Sequence, residues 1–340
     1  MRANFDIEST DNHFERYAHV KSELIFDTCP NLKPAISIMI PTFKRPHLIK
    51  DAIDSAFNQK TDVTFEVVVV DNDAGCEFEN ELKALISSYS NFHIRYYRNE
   101  ENIGMFGNWN RCIELARAEY LTILNDDDLL NCYWMRYMTS NIEGVSLLGC
   151  CSNKFSTISE LKNIKIKESY KSAFRIWTVR DSFIGMWTNG SLGTLLNKRT
   201  CIELGGFDER KYPMADWYFI TSYAYKYKAK VTNNKLTFFR WSENESLNLS
   251  VVKAQIKSNF EFRDYLIKEK YVKGFLWAFL ADIIRSKSMK DAANEYPSYD
   301  NRYEISEAKK NWLYMTLLSY IPLSRFYSIY YFIQYKFIRR

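Results

Sequence analysis

The chain has 340 residues, of which 46% are hydrophobic and 26% are charged, a balance typical of a globular protein with a sizeable core. Its formal net charge of +5 is too small to indicate nucleic-acid binding by itself, and no nucleic-acid partner is expected. Seven cysteines without a CxxC pair argue against a disulfide framework or a cysteine-rich zinc site and favour a reducing, cytoplasmic compartment. The polar start of the chain predicts no secretory signal, and no uncharged apolar run is long enough to span a bilayer.

From residue 35 onwards, strand-like and helix-like patterns alternate along the chain. Short apolar runs rich in Ile and Val predict four strands, at 35–41, 65–70, 93–97 and 120–124. Apolar residues at helical spacing predict helices between them, at 47–58, 78–89 and 108–116. Repeats of this length predict an α/β fold with a mostly parallel twisted sheet and helices on both faces.

The alternation loosens after residue 130. Stretches with Gly and aromatic residues predict loops around a second half-site, at 187–194, 205–209 and 214–217. From residue 250 onwards Gly and Pro are almost absent, and helical periodicity dominates. The sequence therefore predicts three regions: an N-terminal extension at 1–34, an α/β domain at 35–249 and a helical C-terminal region at 250–340.

Three of the four predicted strands end in polar sequence, at 41–45, 71–73 and 125–128. In open α/β sheets, ligands bind beyond the carboxyl ends of the strands. The carboxylates at 126–128 repel one another, which predicts a divalent cation with hard oxygen ligands that bridges to a diphosphate. An acidic surface turn is the alternative interpretation of this cluster, because Asp and Asn are common in turns.

Other ways of binding phosphate or activating a nucleophile find no support in the sequence. There is no GxxxxGK[ST] motif, no GxGxxG between a strand and a helix, and no GxSxG. All four His residues lie in the first hundred positions, and none forms an HExxH motif. Phosphates are therefore expected to be held by a metal ion and by side chains.

Several short motifs occur in a fixed order: IPTFKR at 40–45, VVDN at 69–72, NIG at 102–104 with NWN at 108–110, and LNDDD at 124–128. Together with GGFD at 205–208 and an Asp before Trp217, they resemble inverting family 2 glycosyltransferases of the GT-A fold. The resemblance covers about residues 35 to 245. It implies a nucleotide-sugar half at 35–130 and an acceptor half at 131–249 of one catalytic domain, followed by an aromatic-rich helical appendage.

Carried over residue by residue, the resemblance implies a nucleotide-sugar site formed by Pro41, Thr42, Phe43, Arg45, Asp71, Asn72, Asn108, Asn125 and Asp126. Asp127 matches the last carboxylate of the Asp-x-Asp motif and is expected to bind Mn²⁺ or Mg²⁺, with Asp128 as a further metal ligand. Asn125 replaces the motif's first aspartate, which makes the motif only DXD-like, and Asn72 replaces an aspartate that pairs with the base. The FRWS sequence at 239–242 lacks a His that many members use as a metal ligand.

Asp216 falls where the family keeps its general base. It lies between Met214 and Trp217, an apolar setting that is predicted to raise its pKa. The alternative is that Asp216 caps a helix, and Asp208 is the rival base, although GGFD is more typical of a turn. The acceptor site is expected to include Trp187, Asn189 and Ser191, with a purely structural Trp as the alternative.

The C-terminal sequence is aromatic, aliphatic and locally uncharged at 312–324 and 326–335, and it closes with basic residues. This pattern suits an element that lies in a membrane interface and is attracted to anionic lipid. A helical hairpin packed on the catalytic domain is the alternative. Pro322 and Arg325 argue against a simple spanning helix.

The resemblance implies an enzyme that moves one hexose, of the glucose or galactose type, from a UDP-sugar to a polyprenyl-diphosphate-linked saccharide. The implied pathway is lipopolysaccharide O-antigen or capsule synthesis, on the cytoplasmic face of the inner membrane. A sugar-1-phosphate nucleotidyltransferase is an alternative, but the loop after the first strand lacks the Gly residues that such enzymes carry. A non-catalytic, nucleotide-binding peripheral membrane protein is the other alternative.

Overall fold

The computed structural model of the protein describes residues 6–168, 174–186, 188–242, 247–296, 299 and 312–322. The chain divides into two compact units, Met1–Asn244 and Glu245–Arg340. The strands of the first unit are β1 (Ser22–Asp27), β2 (Ile36–Thr42), β3 (Phe65–Asp71), β4 (Ile94–Asn99), β5 (Tyr120–Ile123), β6 (Leu129–Leu130), β7 (Leu147–Phe155), β8 (Phe174–Trp177), β9 (Leu195–Asn197) and β10 (Ala229–Arg240). Its helices are α1 (Pro46–Phe57), α2 (Glu79–Ser87), α3 (Gly104–Leu115), α4 (Trp134–Thr139), α5 (Ile158–Leu161), α6 (Val179–Ile184), α7 (Lys198–Glu203) and α8 (Ala215–Lys226).

The strands form one sheet in the order β1-β4-β3-β2-β5-β9-β7-β10-β6, and β8 pairs with β10. The four predicted strands became β2, β3, β4 and β5, and they lie side by side and parallel. Strand β9 is antiparallel to both β5 and β7, so the second half of the sheet is mixed. The predicted α/β class is confirmed, and the parallel part of the sheet is concentrated where the polar strand ends lie.

The central strands are buried on both faces, which explains their continuous apolar sequences. Ile38 and Val67 belong to a core shared with α1, α2 and α4 on one face. The next residues along the strands, Met39 and Val68, belong to a second core, shared with α3, α7 and α8 on the other face. Side chains alternate across a strand, so these apolar runs supply both cores and fix the helices above and below the sheet.

Two elements differ from the sequence prediction. The N-terminal extension contributes strand β1, which is antiparallel to β4 at the edge of the sheet. Its side chains are only partly buried and Leu24 is exposed, so no alternating pattern marked it as a strand. Helix α3 begins at Gly104 rather than at residue 108 because Asn102 accepts a hydrogen bond from the Gly104 main chain and turns the chain there.

The second unit is helical, as the sequence predicts, with α9 (Leu249–Lys268), α10 (Phe275–Glu295) and α11 (Trp312–Leu318). Its small apolar core includes Phe260, Met289 and Met315. Within the described residues, none of the helices has both the length and the hydropathy needed to cross a bilayer. The uncharged stretch predicted at 326–335 lies outside the described residues.

Candidate active site

The polar ends of β2, β3 and β5 meet at one edge of the sheet. Thr42, the last residue of β2, is the register partner of Asp71, the last residue of β3. The chain beyond β5 stays beside β2, because the Leu124 main-chain N–H donates to the Met39 carbonyl. The Thr42 hydroxyl then donates to Oδ2 of Asp126 at 2.8 Å. Three motifs far apart in the sequence therefore form one cluster.

Arg45 supplies the positive charge of this cluster. Its Nη1 lies 3.1 Å from Oδ2 of Asp127 and 3.5 Å from Oδ1 of Asp126. Lys44 has φ of 55°, a left-handed conformation that is uncommon for a residue with a side chain. Phe43, which precedes Lys44 and Arg45 in the sequence, is also exposed. Because the Arg45 side chain is itself 30% exposed, it can contact an anionic ligand without first being uncovered.

Burial raises the pKa values of the acidic groups in this cluster. Burial and the neighbouring Asp127 raise the pKa of Asp126 to about 7, against the opposing effects of Arg45 and Thr42. Burial raises the pKa of Asp71 to about 6. Burial also raises the pKa of Asp127, and Arg45 limits that rise. A bound cation would favour the ionised form of these carboxylates.

Asp128 is fully buried, and the protein uses both of its carboxylate oxygens. Oδ1 accepts a hydrogen bond from the Arg240 main chain at 2.9 Å, and Oδ2 accepts one from the Asn125 amide at 3.0 Å. The expectation that Asp128 is a metal ligand is therefore corrected: its oxygens hold the loop in shape and do not face a ligand.

We expect Asp128→Ala to lower the free energy of unfolding by about 1–3 kcal/mol, because the Arg240 N–H and the Asn125 amide would lose their acceptor inside the protein. Urea unfolding followed by tryptophan fluorescence measures this loss. Asp62→Ala, at an exposed aspartate, is the control and should change the stability by less than about 0.5 kcal/mol. Equal stabilities of the two variants would contradict a structural role for Asp128.

Arg240 fastens the acidic loop to the rest of the domain. Its Nε donates to the Asp127 carbonyl at 2.8 Å, and its Nη2 pairs with Asp51 of α1 at 3.0 Å. The guanidinium also lies over the ring of Phe155, 4.8 Å from its centre. In the sequence, this arginine stands out only as the neighbour of a missing His. A basic residue ending a buried strand was the signal that could have indicated its role.

The prediction for Asn72 is also corrected, whereas Asn108 stays a predicted donor-site residue. The Asn72 amide donates to Asn102 and to the Gly104 carbonyl, and its oxygen accepts from Asn99 and from the Ile103 main chain. Both donors and both acceptor positions of that amide are therefore used.

The Asn108 amide donates to the Val70 carbonyl, and its oxygen accepts from Asn99. These amides tie α3 and the loop before it to β3 and β4, and leave no free hydrogen-bonding group on Asn72 for a base.

Three further predicted donor-site residues are buried or half-buried. Asp71 is buried and accepts hydrogen bonds from the Asp73 main chain and from the Tyr96 hydroxyl. Pro41 is buried within β2, and Asn125 is half-buried against Asp128. Four of the predicted residues therefore form one cluster, in which the arginine is partly exposed: Thr42, Arg45, Asp126 and Asp127.

The donor set for a metal ion is small. Among the described residues, no group of three or more His, Cys, Asp or Glu side chains could hold a metal ion. Asp127 offers carboxylate oxygens of the kind that Mg²⁺ and Mn²⁺ prefer, although Arg45 now contacts one of them. These residues fit a cation that takes most of its ligands from a bound diphosphate and from water.

Asp216 lies in the first turn of α8 and is half-buried. Its Oδ1 accepts a hydrogen bond from the Trp217 main chain at 2.8 Å, and burial raises the pKa of Asp216 to about 6. Met214 occupies the cap position of α8, while the Asp216 carboxylate accepts a main-chain hydrogen bond from the first turn of that helix. Holding this turn is compatible with a role as the base, which stays a prediction.

Asp208, the rival base, is held by cations. It caps the turn Glu209–Lys211, and Oδ1 accepts from Nε of Arg210 at 2.8 Å. Burial alone would raise the pKa of Asp208, but Arg210 and His13 lower it below its ordinary value. A carboxylate paired in this way is a poor proton acceptor, which favours Asp216 as the base.

The predicted acceptor loop runs beside the end of β5. Leu192 forms a bridge with Ile123, two residues before Asn125. Asn189 is half-buried, and Ser191 is buried with no hydrogen-bond partner for its hydroxyl among the described residues. Trp187 lies outside the described residues. The loop therefore extends from the acidic cluster towards Asp216, whose carboxylate borders Gly190.

A model of the family described as Glycosyl transferase family 2 matches residues 37–187. That range includes the ends of β2 and β3 and the acidic loop after β5. The chain contains a family 2 glycosyltransferase domain. The family that the motifs indicated is confirmed, while the role of each site residue stays a prediction, and Asp216 lies beyond the matched range.

Two curated relatives are similar to part of this chain. Abequosyltransferase RfbV of Salmonella typhimurium is 26% identical over 172 residues, which cover 50% of this chain and 49% of the relative. A GalNAc(5)-diNAcBac-PP-undecaprenol beta-1,3-glucosyltransferase of Campylobacter jejuni is 32% identical over 98 residues, which cover 28% of this chain and 31% of the relative. The chain thus spans less than half the length of these relatives.

Two solved structures are similar to this chain. Staphylococcus aureus TarS 1–349 in complex with UDP-GlcNAc has a TM-score of 0.52 at 14% identity, over 80% of this chain and 75% of that one. Mannosyltransferase PcManGT from Pyrobaculum calidifontis, in complex with GDP-Man and Mn²⁺, has a TM-score of 0.50 at 14% identity, over 87% and 84%. At these identities the likeness concerns the fold, and it confirms the predicted GT-A-like architecture.

Proposed function

We propose that the protein is an inverting glycosyltransferase that moves one hexose from a UDP-sugar to a saccharide linked to a polyprenyl diphosphate. The proposed process is the synthesis of a bacterial surface polysaccharide, O-antigen or capsule. The single observation that carries the proposal is the convergence of Thr42, Arg45, Asp126 and Asp127 at the carboxyl edge of a sheet that belongs to a family 2 glycosyltransferase domain.

The nucleotide-sugar donor is supported by the charges at this edge. The Arg45 side chain is partly exposed. Its guanidinium group can therefore pair with phosphate oxygens through two parallel N–H groups. Phe43 is exposed beside it and can cover the base or the ribose. The structures of TarS and PcManGT were solved with UDP-GlcNAc and with GDP-Man, so the fold accommodates either nucleotide in related proteins.

Asp127 is the residue proposed to hold a Mn²⁺ or Mg²⁺ ion, and Arg240 fixes its main chain in place. When bound, such an ion offsets the negative charge that develops on the departing diphosphate. Thr42 positions Asp126, which is proposed to contact the ribose. The buried Asp128 holds the acidic loop through its hydrogen bonds with Asn125 and the Arg240 main chain, and we do not propose it as a metal ligand.

The transfer is proposed as one displacement at the anomeric carbon. The acceptor hydroxyl oxygen forms the new bond to that carbon, and the bond to the diphosphate oxygen breaks, so that UDP leaves with the electron pair. Asp216 takes the proton of the acceptor hydroxyl. Burial raises the pKa of Asp216 to about 6, which leaves it ionised near neutral pH yet more basic than an exposed aspartate. The acceptor is proposed to lie along Asn189 and Ser191.

A lipid-linked acceptor is supported by two observations. The Campylobacter jejuni relative is named as a glucosyltransferase for a saccharide linked to undecaprenol through PP. In the second unit, Leu313, Leu317 and Tyr320 recur at helical spacing and are 59%, 63% and 71% exposed, and Phe275 and Leu276 are also exposed. Apolar side chains presented in this way suit the surface of a membrane. We therefore propose a peripheral position on the cytoplasmic face of the inner membrane.

A donor panel tests the proposed function. UDP-glucose, UDP-galactose, UDP-GlcNAc and GDP-mannose are each added with Mn²⁺, and the melting temperature is measured. A bound donor at about a hundred times its Kd stabilises a protein by about 2.7 kcal/mol, so a UDP-sugar should raise the melting temperature by several degrees. The donor that binds is then incubated with lipid-linked saccharides, and UDP release is measured.

Three outcomes would contradict the proposal. Stabilisation by GDP-mannose alone would replace the UDP donor. Formation of pyrophosphate from UTP and a sugar 1-phosphate would favour a nucleotidyltransferase. Binding of UDP without transfer to any acceptor and without slow hydrolysis of the donor would favour a non-catalytic nucleotide-binding protein.

A further inference from the structure

The carboxylate of Asp216 lies directly against Gly190. A Cβ atom added to Gly190 would be 2.6 Å from Oδ2 of Asp216 and 3.7 Å from its Cγ. Real Cβ atoms essentially never come closer than 3.0 Å to a heavy atom outside their own residue and its two chain neighbours. Gly190 also has φ of 59°, in the left-handed region that favours glycine. A side chain at this position would therefore meet the carboxylate of the proposed base.

Both sides of this contact are fixed. The hydroxyl of Thr188 donates to the Gly190 carbonyl at 2.8 Å, and the indole of Trp134 donates to the Gly193 carbonyl at 2.8 Å. On the other side, the Trp217 main chain holds Oδ1 of Asp216 at 2.8 Å. Neither the loop nor the carboxylate can move away without breaking a hydrogen bond.

The two oxygens of Asp216 have different surroundings. Oδ1 is used by the first turn of α8, while Oδ2 is the oxygen that borders the backbone of Gly190. Asp216 and Gly190 are both half-buried. The bare backbone of Gly190 therefore leaves the space that Oδ2 of Asp216 occupies.

We propose that Gly190 is a positioning residue for the base: its lack of a side chain sets the place of Oδ2 of Asp216 beside the acceptor loop. This inference rests on the proposed function, in which Asp216 takes the proton of the acceptor hydroxyl. A misplaced base lowers the rate of proton transfer while donor binding at the strand ends is unchanged. Gly190 touches neither the sugar nor the nucleotide in this role.

Gly190→Ala and Gly144→Ala form a matched pair for the test. Gly144 has φ of 63°, close to that of Gly190, but a Cβ added there meets nothing within 4 Å. Both variants place alanine in a left-handed backbone, so the strain of about 1–2 kcal/mol is common to them. Only the Gly190 variant adds the contact with Asp216.

Gly190→Ala is expected to lower kcat by at least tenfold with an unchanged KM for the donor, while Gly144→Ala keeps the wild-type kcat. The acid limb of the pH profile of kcat/KM should also move to higher pH in Gly190→Ala. The added methyl group excludes water from the carboxylate and pushes it off the Trp217 N–H, and both effects favour the protonated form of Asp216. A purely structural role of Gly190 would not move that limb.

A stability measurement covers the case in which Gly190→Ala folds poorly. If the added methyl group collides with Asp216, then Asp216→Ala should raise the melting temperature of Gly190→Ala by more than it raises that of the wild type. An equal effect of Asp216→Ala in both backgrounds, or a Gly190→Ala enzyme with wild-type kcat and pH profile, would overturn the inference. Full turnover by Asp216→Asn would instead refute the proposed base, so the two failures are distinguishable.

Discussion

Asp216→Asn is expected to lower kcat by about 10²- to 10⁴-fold, the range that general-base assistance contributes. The amide has nearly the same shape as the carboxylate and can still accept from the Trp217 N–H. Donor affinity should stay unchanged, because Asp216 belongs neither to the Thr42–Asp126 pair nor to the Arg45–Asp127 pair at the strand ends. Steady-state UDP release with the identified donor and acceptor measures both quantities.

The pH dependence of the wild type should report the same carboxylate. Burial raises the pKa of Asp216 to about 6, and only the ionised form can accept a proton. The kcat/KM should therefore increase about tenfold per pH unit below pH 6 and level off above it. In Asp216→Asn this limb should be absent, since the amide does not titrate.

The stability of Asp216→Asn provides an independent check, and the sign follows from the direction of the pKa shift. When folding raises the pKa of a carboxyl group, its protonated form favours the folded state. For Asp216 this contribution to stability is complete below pH 3.8, the ordinary pKa of the group, and it is lost as the pH rises through about 6. At pH 7 the ionised, partly buried carboxylate therefore weakens the fold. Removing it should leave the variant at least as stable as the wild type.

Asp208→Asn is the matched control for the base, because Asp208 is the rival candidate in the sequence segment that leads to α8. It should keep most of the wild-type kcat and lose stability, since Asp208 pairs with Arg210 and caps a turn. Full turnover by Asp216→Asn, or a large loss confined to Asp208→Asn, would show that the base is assigned to the wrong residue.

Asp127→Asn is expected to lower kcat/KM for the donor by about 10²- to 10³-fold, the size of effect seen when one group that stabilises transition-state charge is removed. The amide keeps the shape of the side chain but loses the charge that would attract a divalent cation. Manganese bound in the presence of UDP, counted by electron paramagnetic resonance, should fall together with the stabilisation by the UDP-sugar.

Glu77→Gln is the control for charge at this edge of the sheet. Glu77 lies on the neighbouring loop after β3, pairs with Lys44 at 2.7 Å and is exposed. The change removes one negative charge without touching the Arg45–Asp127 pair, so Mn²⁺ binding should stay as in the wild type. Equal Mn²⁺ binding by wild type and Asp127→Asn would contradict the assignment of Asp127, even if activity were lost for another reason.

The sequence alone was sufficient for the central architecture. Stretches such as 67–70 of β3 consist of consecutive apolar residues because both faces of the strand are buried, and the helices between the strands carry apolar residues at helical spacing. Burial on one face or on both faces leaves a pattern of apolar residues in the sequence. That pattern can be recognised without knowing which elements pack together. The family motifs added the order of the strand ends, and the matching family confirms that interpretation.

The partners of polar groups could not be predicted in the same way. Asn72 looked like a group for a nucleotide base, but its amide is used by residues 99 to 104, which arrive from the next strand and loop. Asp128 looked like a metal ligand until β10 brought the Arg240 main chain to its carboxylate. The role of a polar residue depends on which distant group forms a hydrogen bond with its side chain. The identity of the residue alone does not predict that group.

The amino-acid sequence by itself determined the layers of this protein, the polar edge of its sheet and the apolar setting of Asp216, because alternation and composition record burial. Only the tertiary structure decided that Arg45 faces Asp126 and Asp127, that Arg240 holds the acidic loop, and that Gly190 meets the carboxylate of Asp216. The physical reason is distance along the chain: hydrogen bonds and close contacts join residues that are tens to hundreds of positions apart, and their geometry exists only once the sheet has formed.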